Sequence, residues 1–232
     1  LIIIGGLGFI TLLTFFVTLF KNKLQFKSRY TIAQMVNSTN IAGVVRFVRR
    51  LIIISAIAVF IGFCFVIPVF LQLYPGNTFK ALWTSLFTAA SAFNNAGFDT
   101  LGSTSLIRDA ADSSILLNNL SDGMYIYFNI YLMLLIILGG ISFLVILDVF
   151  TFKRKPAQWK VFTKIVILTT TILLLVGSII FVATECFKSS NAMTPLQAIF
   201  QSVTCRTAGF ATYNQDNLSL AGKVVSCVLM FI

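Results

Sequence analysis

The chain has 232 residues, of which 58% are hydrophobic and only 10% charged, with a mean hydropathy of +0.95. Soluble domains average about 45–50% apolar and about 25% charged residues, so this composition excludes a soluble globular domain and a disordered chain. The net charge of +10 comes mainly from two short basic blocks beside apolar segments, which argues against a nucleic-acid partner. Histidine is absent and the four cysteines lack zinc-ligand spacing, so we expect no transition-metal site and no cofactor in this chain.

Long segments without charged residues predict membrane-spanning helices, because one bilayer crossing needs about 20 apolar residues. Such segments occupy residues 1–20, 51–79, 123–147 and 165–184, and a last one begins near Leu218. The fold class expected from them is an all-α polytopic membrane protein. Because the chain begins and ends inside apolar segments, we interpret it as a piece of a longer membrane protein.

Basic residues are concentrated in two connections between these segments. Residues 21–50 contain seven and residues 153–164 contain five of the 17 lysines and arginines, and neither connection contains an acid. The positive-inside rule places both in the cytoplasm and the mixed-charge connections 76–122 and 185–219 outside. Apolar positions at helical spacing in residues 31–50 predict a short helix at the inner membrane face.

The basic connections have a second candidate role, which is contact with anionic lipid or with a cytoplasmic partner. The sequence does not distinguish these two contacts. The residues proposed for the contact are Arg46, Arg49, Arg50, Lys153, Arg154 and Lys155.

Each external connection contains an apolar helix that is too short to cross a bilayer. These helices are predicted at residues 79–93 and 195–205, and fifteen helical residues extend only about 22 Å. Both are followed by an Ala-Gly-Phe turn, centred on Gly97 and on Gly209, and then by a polar stretch and a span. The order span, short helix, glycine turn and span therefore occurs twice, with the two glycines 112 positions apart.

A short helix that enters the membrane from outside directs its C-terminal end, with about −0.5 of an elementary charge, towards the membrane centre. That end favours a cation, and the carbonyl groups of the following turn can replace the hydration shell of an alkali ion. The alternative is an ordinary amphipathic surface helix with a glycine cap. Two copies in matched positions favour a pore.

The residues around both turns resemble a known family of ion channels. Residues 91–99 (SAFNNAGFD) resemble the second-repeat selectivity filter of Ktr-type potassium channel subunits in the Trk/Ktr/HKT superfamily, and residues 203–210 (VTCRTAGF) resemble the third-repeat filter. Residues 5–9 (GGLGF) and 41–50 (IAGVVRFVRR) are similar to the closing helix of the first repeat and the basic stretch before the second.

The family fold is four M1–P–M2 repeats, each a span, a re-entrant pore helix with its filter loop, and a second span, around a central pore. The resemblance implies that this chain supplies the end of repeat 1, all of repeat 2 and most of repeat 3. The implied boundaries are 1–20 for the closing span of an incomplete first repeat, 21–50 for a basic cytoplasmic loop, 51–150 for the second repeat, 151–164 for a second basic loop, and 165–232 for a third repeat truncated in its closing span.

The resemblance also implies the site residues. Gly97 and Gly209 are the implied filter glycines, and the implied ion ligands are the backbone carbonyls of Asn94, Asn95, Ala96, Arg206, Thr207 and Ala208. Asp99 has two readings of equal weight, a residue that concentrates cations at the pore mouth and a simple turn residue. We expect the Arg206 side chain to point away from the pore axis, onto an acid or onto carbonyl groups.

The function implied by the resemblance is potassium uptake across the plasma membrane through a carbonyl-lined filter, with K⁺ as the transported ion. The alternatives are a sodium-selective or sodium-coupled relative, which transports Na⁺, and a non-conducting membrane subunit. An enzyme is not expected, because the spans contain almost no ionisable groups. The implied partners are membrane lipid, a second copy in a homodimer, and a cytosolic ring of nucleotide-binding regulatory subunits.

Overall fold

A computed structural model describes residues 44–102, 106–108, 116–142, 145–146, 148–149, 159–188 and 192–231, and Ile2. The described residues form α-helices and short 3₁₀ turns, without a β-strand among them, in agreement with the expected all-α class. The α-helices in chain order are α1 (Val44–Leu73), α2 (Thr78–Phe93), α3 (Asp122–Gly140), α4 (Val161–Glu185), α5 (Pro195–Thr207) and α6 (Leu220–Phe231). The predicted span at 1–20 lies outside the described residues, apart from Ile2.

Three helices of the described part are long and apolar enough to cross a bilayer, and they coincide with three predicted spans. Their apolar stretches are Arg49–Leu73, Asp122–Gly140 and Val161–Glu185, of 25, 19 and 25 residues. Their apolar side chains are unusually exposed: Phe60, Leu134, Leu168 and Ile179 each expose about half or more of their surface. Such faces are stable only against lipid or further protein.

Two helix boundaries differ from the sequence prediction. The first spanning helix, α1, begins at Val44, so Arg46, Arg49 and Arg50 belong to its first turns and not to a separate surface helix. The helix α3 ends at Gly140 instead of near residue 147, because Ile141 leaves the helical conformation (φ −79°, ψ 133°). A new turn begins at Ser142, whose carbonyl accepts from the Val145 N–H at 2.9 Å.

The two short helices begin where polar side chains bind their first N–H groups. Asn77 caps α2 by accepting from the Lys80 N–H at 3.0 Å. Thr194 and Gln197 form a capping box at the start of α5, each side chain bonded to the backbone of the other. With 16 and 13 residues, α2 and α5 extend about 24 and 20 Å, which is shorter than the roughly 30 Å of bilayer hydrocarbon.

The helices pack in two matching groups, α2 along α1 and α5 along α4, and α3 contacts both short helices. One buried cluster runs through both groups, with Phe70 of α1, Phe128 of α3 and Phe200 of α5 among its members. Phe70 and Phe128 meet edge to face, with ring centroids 5.7 Å apart. The same cluster includes Ala92 of α2 and Val203 of α5, so both short helices are anchored in one core.

A carboxylate in the segment after α3 binds the start of α4. Asp148 Oδ2 accepts from the Thr163 hydroxyl at 2.7 Å and from the Lys160 N–H at 2.9 Å, at the start of α4. The hydrogen bond from Thr163, aided by the Lys160 N–H, holds the pKa of Asp148 below its ordinary value. An anion at this position also complements the positive end of the α4 dipole.

Candidate cation site

The chain reverses direction at the end of α2 through two residues in the left-handed region. The Asn94 N–H still donates to Ala90 O at 3.1 Å, and the Ala96 N–H donates back to Ser91 O at 2.9 Å. Asn95, between these two residues, has a φ of +51°, and Gly97, directly after Ala96, has a φ of +70°. A side chain at Gly97 would strain the backbone, which is the local reason for glycine here.

The end of α5 reverses in a similar way. The N–H groups of Ala208 and Gly209 both donate to Thr204 O, at 3.0 and 3.2 Å, and Gly209 has a φ of +86°. The buried Thr204 hydroxyl donates to Phe210 O at 2.7 Å. This hydrogen bond ties the Phe210 carbonyl, just after the turn, to α5.

The two glycine turns are in direct contact. The place that a Cβ would take on Gly97 is occupied by the carbonyl oxygen of Ala208, and Gly209 Cα would lie only 3.1 Å from that Cβ. From the other side, a Cβ on Gly209 would lie 3.7 Å from Gly97 Cα. Two turns that are 112 positions apart in sequence therefore form one site.

A further contact joins the two turns beyond their glycines. The Leu106 N–H donates to Ala211 O at 3.1 Å, which ties the loop after the first turn to the backbone just beyond the second. The Leu106 side chain is 1% exposed and lies in the same buried cluster as Ala208 and Phe210. In the sequence Leu106 stands out only as an apolar residue inside a polar loop, so its role was not predicted.

The chemistry that the site offers is that of helix ends and backbone carbonyls. The C-terminal ends of α2 and α5 meet at the paired turns, so two partial negative charges converge on one place. In the part of the chain that the structure describes, no three His, Cys, Asp or Glu side chains come close enough together to hold a metal ion. Such a place favours a cation held by main-chain oxygens.

Of the predicted ligand set, Asn94, Asn95 and Ala96 lie in the first turn, and Arg206, Thr207 and Ala208 end α5 at the second. The Ala208 carbonyl lies against Gly97 Cα. The Asn95 side chain also forms hydrogen bonds to α3, outside its own turn. The structure thus brings the two turns that carry these residues into contact, at Gly97 on one side and at Ala208 and Gly209 on the other.

Two charged residues flank the paired turns. Asp99 Oδ1 accepts from the Leu101 N–H at 3.0 Å, which is the turn role considered in the sequence analysis. Arg206 lies in the last turn of α5 and is partly buried. Among the described residues no acid or carbonyl accepts a hydrogen bond from its guanidinium, although its charge complements the negative end of α5.

The predicted contact residues for lipid or a cytoplasmic partner are only partly described. Arg49 and Arg50 are exposed on the first turns of α1. Arg46 lies in the same helix, and Lys153, Arg154 and Lys155 lie outside the described residues.

Comparison with known proteins places these features in a family. Residues 1–232 match the TrkH family, described as cation transport protein. The chain belongs to the TrkH family of cation transport proteins. This TrkH-family chain is thus a multi-pass membrane protein of a transport family and not an enzyme.

Curated relatives agree with this assignment. The chain is 30% identical to the potassium/sodium uptake protein NtpJ of Enterococcus hirae, over 100% of this chain and 49% of that protein. It is also 30% identical to the Ktr system potassium uptake proteins B and D of Bacillus subtilis, over 100% and 98% of this chain and 50% and 49% of those proteins. The chain spans about half the length of these relatives.

Proposed function

We propose that this chain forms two neighbouring quarters of a potassium-selective filter in a potassium uptake protein of the plasma membrane. The observation that carries the proposal is the contact between the Gly97 and Gly209 turns, each at the C-terminal end of a short helix. Two further repeats outside this chain complete the ring around the pore. Backbone carbonyls of Asn94, Asn95, Ala96, Arg206, Thr207 and Ala208 are the proposed ligands of K⁺.

The proposed mechanism replaces water around K⁺ by main-chain oxygens. The ion leaves its hydration shell where the negative ends of α2 and α5 converge, and the carbonyl oxygens restore its coordination. Asp99, beside the first turn, concentrates cations at the outer mouth. The names of the relatives support K⁺, and the name of NtpJ, a potassium/sodium uptake protein, supports Na⁺ uptake as the second candidate.

The proposal extends to sidedness and partners. The basic connections 21–50 and 151–164 face the cytoplasm, where the exposed Arg49 and Arg50 are available to anionic lipid or protein. The names of the Ktr system relatives support assembly with further components of such a system, which we propose to be a cytosolic nucleotide-binding ring. A homodimer of the membrane subunit is part of the same proposal.

Ion uptake by the full-length protein tests the proposed function. Cells without their own potassium uptake should grow at low K⁺ when they produce it, and their net K⁺ uptake should exceed Na⁺ uptake at equal concentrations. Uptake of Na⁺ without K⁺ would replace the proposal by the sodium alternative. A protein that reaches the membrane and moves neither ion would make the chain part of a non-conducting subunit.

Replacement of Arg206 by glutamine should disturb the stability of the filter loop more than ion preference. The charge of Arg206 lies at the negative end of α5, where a cation contributes about 0.3–1 kcal/mol. We therefore expect a slightly lower melting temperature of the purified Arg206→Gln protein and an unchanged ratio of K⁺ to Na⁺ uptake. Lys80→Gln, which removes a cation near the start of the other short helix, is the control. Changed ion preference with unaltered expression would contradict this placement of Arg206.

A further inference from the structure

The side chain of Asn95 connects the first glycine turn to the spanning helix behind it. With its amide oriented to satisfy both groups, Asn95 Nδ2 donates to Ile136 O at 3.2 Å and Oδ1 accepts from the Gly140 N–H at 2.9 Å. Ile136 O and Gly140 N–H have the four-residue spacing of one helical rung of α3, the rung before the final Ile141–Ile137 bond. One side-chain amide therefore bonds to both ends of this rung.

The position of this contact coincides with the end of α3. Ile141 is extended immediately after the rung, and its N–H makes the last helical bond, to Ile137 O at 3.1 Å. The next turn starts at Ser142. The filter turn is thus attached at the place where the spanning helix changes direction, and not to the middle of a regular helix.

Glycine at position 139 permits this attachment. A Cβ on Gly139 would overlap the carbonyl oxygen of Phe93, the last residue of α2, so α3 approaches α2 at backbone contact. Only at that distance does the short Asn95 side chain reach the α3 backbone. Gly139 therefore has one specific neighbour, the end of α2 at Phe93.

The backbone of Asn95 fits the same role. Its φ of +51° lies in the left-handed region, which asparagine enters more readily than other side chains except glycine. The strained residue lies two positions before Gly97, within the set of proposed ion ligands. Its two hydrogen bonds to α3 offset the strain and hold the direction of the carbonyl groups on either side.

We propose that Asn95 is a positioning residue for ion selection, which sets the geometry of the Gly97 turn by bonding its amide to the Ile136–Gly140 rung of α3. The inference rests on the proposed filter function. The Asn95 side chain makes the ion selectivity of this quarter of the filter depend on the position of the end of α3. Movement of α3 at its break reaches the ion ligands by this contact.

The test compares side-chain changes at Asn95 in the full-length protein reconstituted in vesicles. Asn95→Gly accepts the positive φ without strain and removes both hydrogen bonds, so it isolates the amide from the backbone conformation. We expect its K⁺/Na⁺ permeability ratio to fall about tenfold, as for the loss of two hydrogen bonds of ordinary net strength. Asn129→Ala is the matched control, because Asn129 is a buried asparagine of α3 that donates to Tyr125 O at 2.9 Å within its own helix.

Asn95→Asp supplies a signature that general destabilisation does not produce. An ionised carboxylate accepts from the Gly140 N–H but cannot donate to Ile136 O, whereas the neutral acid makes both bonds. We expect the K⁺/Na⁺ permeability ratio of Asn95→Asp to be low at neutral pH and to recover on acidification. The ratio of the wild-type protein should not change over the same pH range. This variant decides the question if Asn95→Gly does not fold.

The outcomes separate the inference from the function on which it rests. If the wild-type protein moves no cation, the proposed function fails. If the wild type is selective and well-folded Asn95→Gly has the same ratio, only the positioning role of Asn95 fails. Absence of recovery of Asn95→Asp at low pH would equally overturn that role.

Discussion

Gly97→Ala is expected to abolish selective potassium uptake, whereas Gly209→Ala should weaken it and leave a measurable preference for K⁺. Both glycines have positive φ angles, and a left-handed conformation costs other residues about 1–2 kcal/mol. The two sites differ in free space. A Cβ on Gly97 would overlap the Ala208 carbonyl oxygen and come within 3.1 Å of Gly209 Cα, so the second turn would have to move. A Cβ on Gly209 has its nearest neighbour at 3.7 Å, so only the backbone strain remains.

Uptake of K⁺ and Na⁺ by the full-length protein measures the difference. For Gly97→Ala we expect a loss of K⁺ preference of at least about tenfold, equivalent to 1.4 kcal/mol, beyond that of Gly209→Ala. Gly102→Ala is the matched control, since its φ of +92° gives the same kind of strain, and no atom of the described residues lies within 4 Å of the added Cβ. Gly97→Ala protein that reaches the membrane and retains wild-type preference would show that the turns are structural caps and not parts of one filter.

Glu185→Ala is expected to be the most destabilising single change among the charged residues of the described helices. The side chain is fully buried at the end of α4. Its carboxylate accepts from the Ser219 N–H at 3.2 and 3.3 Å and from the Ser219 hydroxyl, and it pairs with Lys188 Nζ at 3.3 Å. Ser219 directly precedes α6, so this anion lies at the positive end of the α6 dipole.

Removal of the carboxylate leaves several polar groups without a partner. Breaking a buried charge pair typically costs about 3–5 kcal/mol, and we expect the lower end because Lys188 is partly exposed. Glu185→Gln keeps an oxygen that accepts from Ser219, so its loss of folding stability should be about half that of Glu185→Ala. Gly222→Ala should also destabilise the protein, because a Cβ there would overlap Glu185 Oε1.

Thermal unfolding of the purified full-length protein checks this expectation. Asp216→Asn is the control, since Asp216 is an exposed acid of the connection between α5 and α6. The melting temperature should fall by several degrees for Glu185→Ala and remain near the wild-type value for Asp216→Asn. Equal melting temperatures for these two variants would show that the buried carboxylate does not hold α6 in place.

Hydropathy, segment length and glycine turns were sufficient to predict the described helices. The segments at 51–79, 123–147 and 165–184 correspond to α1, α3 and α4, because a stretch of about 20 apolar residues has few alternatives to a spanning helix. The short helices were predicted from their length and from glycine turns that a regular helix cannot continue. The basic connection was less predictable: α1 begins at Val44, since a helix that a span already stabilises extends into polar residues at low cost.

The contacts between segments that are distant in sequence could not be predicted from hydropathy or local patterns. Nothing local at Asn95 indicates that its amide bonds to α3, and the hydropathy of residues 123–147 does not show that α3 ends at Gly140. In the sequence Glu185 lies just after the apolar segment 165–184, whereas its full burial depends on Ser219 and Gly222, more than thirty positions further along the chain.

The sequence by itself determined the all-α class, the positions of the described spans and the two glycine turns, because these follow from local hydropathy, helix length and backbone conformation. Only the tertiary structure decided that Gly97 and Gly209 meet, that Leu106 fastens their turns together, and that Asn95 and Glu185 bond to distant helices. Such contacts depend on how whole helices pack and how close their backbones approach. A pattern of neighbouring residues does not contain that information.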